Sequence, residues 1–281
     1  MYRIIRKEIL NPTVTLMEID APLVAKKAQP GQFIILRVDE EGERIPLTVA
    51  DYDREKGTVT IIFQVVGGTT ELLNHKNEGD SIRDFVGPLG RPTVTTAKKV
   101  AIVGGGVGCA IAYPVAKKFH QQGSVVHSVV GFRSRDLVIL EREFAAASDR
   151  LVLMTDDGSY GKKGLVTDAL KELIEGGEAY DEVIAIGPLV MMKFVCKLTK
   201  EYGIRTMVSM NPIMIDGTGM CGCCRLTVGG EVKFACVDGP DFDGHQVDFD
   251  EVIARNATYR EFEARRKQDH LCRLGGGAMN G

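Results

Sequence analysis

The chain has 281 residues, of which 44% are hydrophobic and 26% charged, and its formal net charge is −3. This composition predicts a globular protein with two domains and a small further module, and the charge excludes the strongly basic surface typical of nucleic-acid or membrane-surface binding. No apolar run is long enough to span a membrane, and the charged start MYRIIRKEIL is unlike a secretory signal. The odd cysteine count of 7 favours a reducing cytoplasm.

Residues 1–97 consist mainly of short β-branched and aromatic runs. YRIIRKEI, VTLMEID, QFIILRVD and GTVTIIFQVV are typical of strands, with turn sequences between them. Only 70–75 has a helical pattern. Several short strands at this spacing predict a small antiparallel β barrel.

Two motifs in this region are candidates for phosphate contacts. In RIPLT at 44–48, an arginine before a proline-fixed extended segment can pair with a phosphate while the threonine hydroxyl faces a ring. The alternative is a strand end with a surface arginine. GGTT at 67–70 opens the short helix with glycines and hydroxyls, which can form a pyrophosphate cradle.

From residue 98 onward, strand-like runs alternate with helical stretches. KKVAIVG, SVVHSVVGF, RLVLMT, DEVIAIG and IRTMVSM read as strands. Helical stretches lie between them at Cys109–Gln121, 136–147, Val166–Glu175 and Leu189–Glu201. This alternation predicts a doubly wound, five-stranded parallel sheet with helices on both faces.

A glycine-rich turn follows the first of these strands and opens its helix. It consists of Gly104, Gly105, Gly106, Val107 and Gly108. Glycines there let backbone N–H groups approach a pyrophosphate at the helix N-terminus. The next residue is Cys109, where the dinucleotide-binding fingerprint has glycine or alanine, so a tight turn without a ligand is the alternative.

Charged residues follow the second and third of these strands. Asp156 and Asp157 can accept hydrogen bonds from a ribose 2′-OH and repel a 2′-phosphate. Arg133 and Arg135 argue the other way, because they can bind a phosphate. Solvated loop charge is the alternative for both pairs.

A cysteine-rich stretch, DGTGMCGCCRLTVGGEVKFAC, follows the last strand. The positions of Asp216, Cys221, Cys224 and Cys236 have the spacing with which plant-type ferredoxins hold a [2Fe–2S] cluster, with aspartate in place of the first cysteine. The favoured interpretation is a cluster with three sulfur ligands and one oxygen ligand. A zinc site that includes Cys223 is the alternative. A charged terminal helix over 249–270 and a frayed tail at 274–281 complete the prediction.

In chain order, the motifs resemble a known family. They are PGQF at 30–33, RIPLT at 44–48, GGTT at 67–70, GPLG at 87–90, GGGVG at 104–108, TDDGSYG at 155–161, IGPLVMMK at 186–193 and the cysteine stretch. The set resembles the ferredoxin–NADP reductase superfamily, in its branch of iron–sulfur electron-transfer subunits. That branch includes the electron-transfer subunit of dihydroorotate dehydrogenase and the small subunit of NADH-dependent reduced ferredoxin:NADP oxidoreductase, also named sulfide dehydrogenase β subunit.

The resemblance, which covers nearly the whole chain, implies three parts. They are an FAD-binding barrel at 1–97, a nicotinamide-nucleotide domain at 98–211, and a [2Fe–2S] module with a terminal helix at 212–281. The flavin's phosphate and ring would be held by Arg44, Pro46, Leu47 and Thr48, with Thr48 near the reactive nitrogen. Its pyrophosphate would meet Gly67, Gly68, Thr69 and Thr70, and the nicotinamide pyrophosphate would meet 104–108. The aspartate at 216 resembles the transhydrogenase-type subunit, because the dihydroorotate subunit has cysteine as its first ligand.

The resulting hypothesis is an NAD(P)H-dependent oxidoreductase subunit of the cytoplasm. It would pass electrons between NAD(H), FAD and a [2Fe–2S] cluster to a larger flavin and iron–sulfur subunit that exchanges electrons with ferredoxin and NADP(H). The alternatives are the electron-transfer subunit of dihydroorotate dehydrogenase, a reductase that needs no partner, and a zinc-stabilised nucleotide-binding protein without redox chemistry.

Overall fold

The structure, a computed structural model, describes residues 1–259 and 262. An antiparallel sheet of seven strands forms the first part of the molecule. Its strands are β1 (Tyr2–Asn11), β2 (Val14–Asp20), β3 (Phe33–Arg37), β4 (Ile45–Asp53), β5 (Thr58–Gln64), β6 (Ser81–Ile82) and β7 (Asp84–Leu89). Two short helices, α1 (Pro22–Lys27) and α2 (Gly68–His75), lie between strands of this sheet.

This sheet curls into a nearly closed barrel. Its strand order is β6-β1-β2-β5-β4-β3-β7, and only Arg83 separates the two edge strands along the chain. Since alternate residues of each strand point inward, large side chains such as Met17, Phe63 and Phe85 fill the interior. The barrel interior is therefore a packed core, as in other small barrels.

The second sheet is mostly parallel. Its strands are β8 (Lys99–Gly105), β9 (Val125–Phe132), β10 (Arg150–Thr155), β11 (Lys162–Lys163), β12 (Glu182–Ile186), β13 (Arg205–Ser209) and β16 (Asp241–Asp243). The order is β11-β10-β9-β8-β12-β13-β16, and only β16 runs antiparallel. The order reverses between β8 and β12, which is where ligands bind in open α/β sheets.

Helices cover both faces of this sheet. They are α3 (Cys109–Gln121), α4 (Glu141–Ala146), α5 (Val166–Glu175) and α6 (Leu189–Glu201). Alternate strand residues separate the two cores: Val100 and Ile102 pack with α3, whereas Ala101 and Val103 pack with α5 and α6. Among residues 1–259, no helix combines the length and the apolar character needed to cross a membrane.

The cysteine-rich part forms a hairpin and a short helix. β14 (Arg225–Val228) pairs with β15 (Glu231–Phe234), and Gly229 and Gly230 between them have φ angles of +61° and +81°. Two successive residues with positive φ suit a two-residue hairpin turn. The helix α7 (Phe249–Ala257) contacts α6 and β14.

The predicted fold class is confirmed. The five predicted parallel strands form, and α3, α5 and α6 have the predicted bounds. The helix predicted over 136–147 is shorter, because a 3₁₀ turn at Arg135–Leu137 precedes α4. The sequence did not indicate α1, the barrel strands β6 and β7, or the edge strands β11 and β16, and it indicated β4 only as a strand end at RIPLT. Most of the predicted terminal helix beyond residue 259, and the tail at 274–281, lie outside the described residues.

Candidate functional site

The strand β4 carries the RIPLT motif along the barrel. Thr48 pairs with Phe33, and Leu47 pairs with Ile34 of the neighbouring strand β3. Pro46, Leu47 and Thr48 are all half-buried, so part of each side chain remains at the barrel surface. A partly covered apolar strand of this kind is a suitable support for a flat ring.

The GGTT turn lies next to the start of β4. The hydroxyl of Thr69 donates a hydrogen bond to Oε2 of Glu43, at 3.0 Å. Thr70 builds the turn itself, because its Oγ1 accepts hydrogen bonds from the N–H groups of Val66 and Gly67, each at 3.0 Å. A Cβ atom added at Gly67 would meet nothing within 4 Å, so the backbone at the N-terminus of α2 is open to a phosphate.

The nucleotide turn at 104–108 lies where the order of the second sheet reverses. A Cβ atom at Gly108 would lie 2.6 Å from Cα of Gly187, so glycine permits close contact with the turn after β12. At Gly106 the φ angle is +55° and an added Cβ would meet nothing within 4 Å. Gly106 is therefore the point of this turn at which a ligand can approach the backbone.

Cys109 replaces the last small residue of the dinucleotide fingerprint. Its sulfur lies 2.9 Å from the Cβ that a larger residue at Gly104 would carry. Burial raises the pKa of the Cys109 thiol, so the side chain is neutral. Its departure from the fingerprint is a packing feature and leaves the open face at Gly106 unchanged.

The acidic and basic loops meet at the same edge of the second sheet. The N–H of Asp156 donates to the carbonyl of Phe132 at 3.0 Å, and the N–H of Asp157 donates to that of Arg133 at 3.3 Å. The Asp157 carboxylate accepts hydrogen bonds from the hydroxyl and the N–H of Ser159, which hold its pKa below the usual value. Asp156 is exposed, so its carboxylate faces the solvent beside the loop that carries Arg133.

Two residues at this edge, Tyr160 and Glu141, were not among the predicted site residues. The hydroxyl of Tyr160 donates to both carboxylate oxygens of Glu141, at 3.0 and 3.1 Å. The guanidinium of Arg135 lies 5.4 Å from the centre of the Tyr160 ring. Tyr160 lies within the TDDGSYG motif, so an aromatic side chain in a loop after a strand was the available signal.

Two cysteines form the buried half of the cysteine-rich stretch. Cys224 precedes β14 and Cys236 follows β15, so the hairpin brings them together. Their sulfurs are 3.2 Å apart, and both side chains are buried. Burial, and next the neighbouring Cys224, raise the pKa of the Cys236 thiol to about 12. The hairpin therefore places two cysteine sulfurs side by side before any cofactor binds.

The other half is exposed. Oδ2 of Asp216 accepts hydrogen bonds from the hydroxyl and the N–H of Thr218, which hold the pKa of that carboxyl below its usual value. The N–H of Cys223, and then that of Asp216, lower the pKa of the Cys221 thiol, while burial and the Asp216 charge oppose this effect. Asp216 and Cys221 are therefore neighbours, with Cys223 beside them.

These four residues fit a two-iron cluster. In residues 1–259 and 262, no three His, Cys, Asp or Glu side chains surround a single point suited to one metal ion. The four predicted ligands instead form two close pairs, Asp216 with Cys221 and Cys224 with Cys236. A [2Fe–2S] cluster has two irons and takes four protein ligands, so two pairs of anionic donors match its requirement.

The exposed half is bound to the barrel. Nε of Arg44 donates to the carbonyl of Ile215 at 3.1 Å, and Nη2 donates to that of Asp216 at 3.4 Å. A Cβ atom at Gly217 would lie 2.7 Å from Cγ1 of Ile35, so glycine lets the loop lie directly on β3. The observed partners of Arg44 are therefore two carbonyls of the cysteine-rich stretch.

Strand β4 also contacts the part of the molecule that contains the second sheet. Helix α3, which follows the glycine turn, packs against β4, and the turn itself lies against β5. Nζ of Lys117 on α3 is 2.8 Å from Oδ2 of Asp51 on β4. The start of β4 therefore touches the cysteine-rich stretch, while the strand itself packs on the helix that follows the glycine turn.

Comparisons with known proteins agree with this arrangement. Residues 211–248 match the family model of the iron–sulfur cluster binding domain of dihydroorotate dehydrogenase B. The chain is 49% identical over 264 residues to a dihydroorotate dehydrogenase B (NAD(+)) electron transfer subunit homolog of Thermotoga maritima, covering 94% of this chain and 93% of the relative. It is 54% identical over 274 residues to an uncharacterised Clostridium beijerinckii protein, with coverage of 94% and 93%.

Solved structures support the same assignment. A chain from the structure of NADH-dependent reduced ferredoxin-NADP oxidoreductase, which gave insight into flavin-based electron bifurcation, is 45% identical, with a TM-score of 0.91 and coverage of 96% of this chain and 98% of that one. The Amycolatopsis cytochrome P450 reductase GcoB, at 21% identity and a TM-score of 0.61, covers 71% of this chain and 65% of its own, and supports the fold alone.

The fold and the site define an oxidoreductase electron-transfer subunit with a ferredoxin–NADP reductase-like fold and a C-terminal iron–sulfur binding domain. The chain belongs to the family of dihydroorotate dehydrogenase B electron transfer subunits and their homologues. The resemblance predicted from the motifs is confirmed, and the family and the fold support the predicted cofactors, FAD, a [2Fe–2S] cluster and NAD(H).

Proposed function

We propose that this chain is the NAD(H)-linked small subunit of a complex like NADH-dependent reduced ferredoxin:NADP oxidoreductase. It passes electrons between NAD(H), FAD and a [2Fe–2S] cluster to a larger flavin and iron–sulfur subunit. The contacts of one strand support the proposal, because Arg44 at the start of β4 binds the cysteine-rich stretch and β4 packs on the helix after the glycine turn.

The flavin site consists of the outer face of β4 and the N-terminus of α2. When bound, FAD takes two electrons from a nicotinamide as hydride and releases them singly to a one-electron carrier. Pro46 and Leu47 support the ring, and the Thr48 hydroxyl donates a hydrogen bond near its reactive nitrogen. Gly67, where the backbone is open, and Gly68 at the start of α2 would meet the pyrophosphate, together with the hydroxyl of Thr69. Thr70 holds the turn in place.

The nucleotide site lies across the reversal point of the second sheet. The open backbone at Gly106 receives the pyrophosphate, while Gly104, Gly105 and Gly108 allow the close packing that shapes the turn. Asp156 and Asp157 follow β10 at the carboxyl edge of the parallel sheet, which is the edge where ligands of open α/β sheets bind. The exposed Asp156 carboxylate repels a 2′-phosphate, so we infer a preference for NADH over NADPH.

The cluster ligands are Asp216, Cys221, Cys224 and Cys236. Cys224 and Cys236 would hold the cluster from the buried side, and Asp216 and Cys221 would hold it from the open side. Gly217, Gly219 and Gly222 have positive φ angles, which let the chain wrap closely around a cofactor. The N–H group that Cys223 directs at Cys221 favours the thiolate form that a metal requires.

The partner subunit docks over the exposed half of this site. Met220 is 89% exposed, and Ile215 and Val237 are also large exposed apolar residues. Each lies next to a proposed ligand in sequence. An apolar surface around a cluster lets a partner exclude water and approach the electron carrier closely. We also infer a cytoplasmic location, supported by the six free cysteines of the described residues.

A second candidate is the electron-transfer subunit of dihydroorotate dehydrogenase. The family model over 211–248 favours it, as does 32% identity over 244 residues to such a subunit of Fusobacterium nucleatum, which covers 83% of this chain and 92% of the relative. Anaerobic purification from the native source, with the co-purifying partner identified by mass, separates the two candidates. A partner that reduces NADP+ supports the first, and a partner that oxidises dihydroorotate supports the second.

The cofactor content tests the proposal as a whole. Anaerobically purified protein should release one FAD and contain two irons and two sulfides per chain. Flavin extraction combined with iron and acid-labile sulfide assays measures these amounts. Stoichiometric zinc with no sulfide would contradict the proposal and support a non-redox, zinc-stabilised protein.

A further inference from the structure

Arg44 makes contacts that flavin binding alone does not explain. Arg44 is the residue immediately before β4, and it is the first residue of the proposed flavin motif RIPLT. Yet its guanidinium reaches across to the carbonyls of Ile215 and Asp216, at 3.1 and 3.4 Å. These carbonyls belong to the segment that presents the proposed oxygen ligand of the cluster.

The two bonds leave part of the guanidinium free. Arginine has five N–H donors in a rigid planar fork. The two bonds use Nε and one hydrogen of Nη2, which lie along one edge of the fork. The remaining three donors are directed along the other edges, and a planar fork can pair with a phosphate there. One side chain can therefore hold the loop and a flavin phosphate together.

The loop has a second anchor on the barrel at this point. Gly217 lies on Ile35 and Leu89, where an added Cβ would be 2.7 and 2.9 Å from their side-chain carbons. Gly217 places the backbone, and Arg44 fixes the orientation of the peptide groups on either side of Asp216. On this backbone, the N–H and the hydroxyl of Thr218 hold the Asp216 carboxylate.

We propose that Arg44 is a positioning residue that couples the two cofactor sites. One edge of its guanidinium holds the carbonyls of Ile215 and Asp216, and another edge pairs with the flavin phosphate. The inference rests on the proposed function, which assigns Asp216 as a ligand and β4 as the flavin strand. FAD binding then restrains Arg44, which restrains the Asp216 end of the cluster, and by linkage the cluster strengthens FAD binding.

A second arginine provides a matched control. Nε of Arg91 also donates to a carbonyl at 3.1 Å, and this carbonyl belongs to Val237, the neighbour of the ligand Cys236. Arg91 follows β7 and lies outside the proposed flavin motifs. Loss of Arg91 therefore removes a bond of the same kind and an equal formal charge near the proposed cluster, together with an ion pair to Asp238 at 3.9 Å, and has no direct link to the proposed flavin site.

The test measures the dependence of the cluster on FAD in four proteins. These are the wild type, Arg44→Gln, Arg44→Lys and Arg91→Gln, each purified anaerobically as the full chain. The cluster midpoint potential by EPR-monitored titration and the rate of iron loss to a chelator are measured with FAD bound and after FAD removal. Thermal unfolding of each protein shows whether it is folded.

In the wild type and Arg91→Gln, FAD removal should speed iron loss by about tenfold, as expected for a lost charged hydrogen bond. In Arg44→Gln, iron loss should be fast with or without FAD, FAD should bind more weakly, and the cluster potential should fall because a nearby positive charge is gone. Arg44→Lys should restore the wild-type cluster potential, because it keeps the positive charge. It should not restore the effect of FAD on iron loss, since an ammonium lacks the planar fork.

A wild-type FAD dependence in folded Arg44→Gln would overturn the coupling. So would an equal loss of that dependence in Arg91→Gln, because it would mean that any charge near the cluster has this effect. Both outcomes leave the cofactor content intact and so leave the proposed function in place. Absence of FAD or sulfide from the wild-type protein would instead contradict the proposed function.

Discussion

Cys224 and Cys236 are buried with their sulfurs 3.2 Å apart, whereas Gly106 and Asp156 at the nucleotide edge face open space. The difference matches the two kinds of ligand. A cluster stays in place through every turnover, so its ligands are part of the packed structure. A nicotinamide nucleotide enters and leaves, so its site is an open edge. Substitutions at the buried cysteine pair should therefore keep or abolish the cluster, whereas substitutions at the nucleotide edge should change nucleotide preference by degrees.

The largest effect is expected at the buried cysteine pair. Cys236→Ser should abolish the cluster, because it removes one of the two sulfur ligands that the hairpin is proposed to hold side by side. Iron and sulfide content after anaerobic purification measures this. Cys196→Ser is the control: Cys196 is also buried, and burial raises its pKa to about 12, but it lies on α6 away from the cysteine-rich stretch. Equal cluster loss in both variants would show that a buried thiol matters only for folding.

A smaller effect is expected at the exposed pair. Asp216→Cys should keep the cluster and lower its reduction potential, because thiolate donates more electron density to iron than carboxylate. Asp216→Ala should give a cluster that is lost rapidly, and Cys223→Ser should change little, since serine retains a donor toward Cys221. EPR-monitored potentiometry compares the variants. The ligand assignment fails if Cys223→Ser destroys the cluster while Asp216→Ala preserves its potential.

The same contrast separates what the sequence could predict from what it could not. Helices α3, α5 and α6 were predictable to the residue because their apolar faces repeat at helical spacing between clear strand patterns. The cluster ligands were predictable as candidates, because local spacing reflects the geometry of a loop around a cofactor. Helix α1 was missed because six residues are too few for a periodic signal.

Long-range contacts account for the remaining misses. The edge strand β16 pairs with β13 across about thirty residues, and three-residue strands have no alternation to detect. Arg44 was predicted to face a phosphate, and its bonds to Ile215 and Asp216 join residues 171 and 172 positions away. Neither composition nor spacing indicates such a contact, because it depends on how two folded units pack.

The contact between β16 and the segment that joins the two sheets should make the stability of the protein depend on pH. The Asp241 carboxylate on β16 accepts a hydrogen bond from the hydroxyl of Thr93, which lies between the two sheets. Burial raises the pKa of Asp241 to about 6. The folded state therefore holds a proton that the unfolded state releases near pH ~4, and stability falls as pH rises between these values.

Asp241→Asn should remove this dependence. The stability of the variant relative to the wild type should rise by up to about 3 kcal/mol between pH 4 and pH 7. Urea unfolding across this range measures the difference. Asp243→Asn, at an exposed position on the same strand, is the control. Parallel stability curves for Asp241→Asn and the wild type would contradict the assignment of the titrating group.

The smallest effect is expected at the nucleotide edge. NADH should be preferred over NADPH by about tenfold or more in kcat/KM, because solvent screens the repulsion between Asp156 and a 2′-phosphate but does not remove it. Asp156→Asn should lower the ratio of kcat/KM for NADH to kcat/KM for NADPH. Asp157→Asn should narrow it less, since the Asp157 carboxylate is held by Ser159. Equal kcat/KM values for both nucleotides in the wild type would refute the preference.

Anaerobic titration of the purified chain with NADH tests the central claim, that hydride transfer and one-electron transfer meet in this molecule, most directly. Visible absorbance follows the flavin, and low-temperature EPR follows the cluster in the same sample. The account predicts that NADH bleaches the flavin and that the signal of a reduced [2Fe–2S] cluster then develops. A flavin that stays oxidised in excess NADH, or one that is reduced while the cluster remains oxidised, would contradict it.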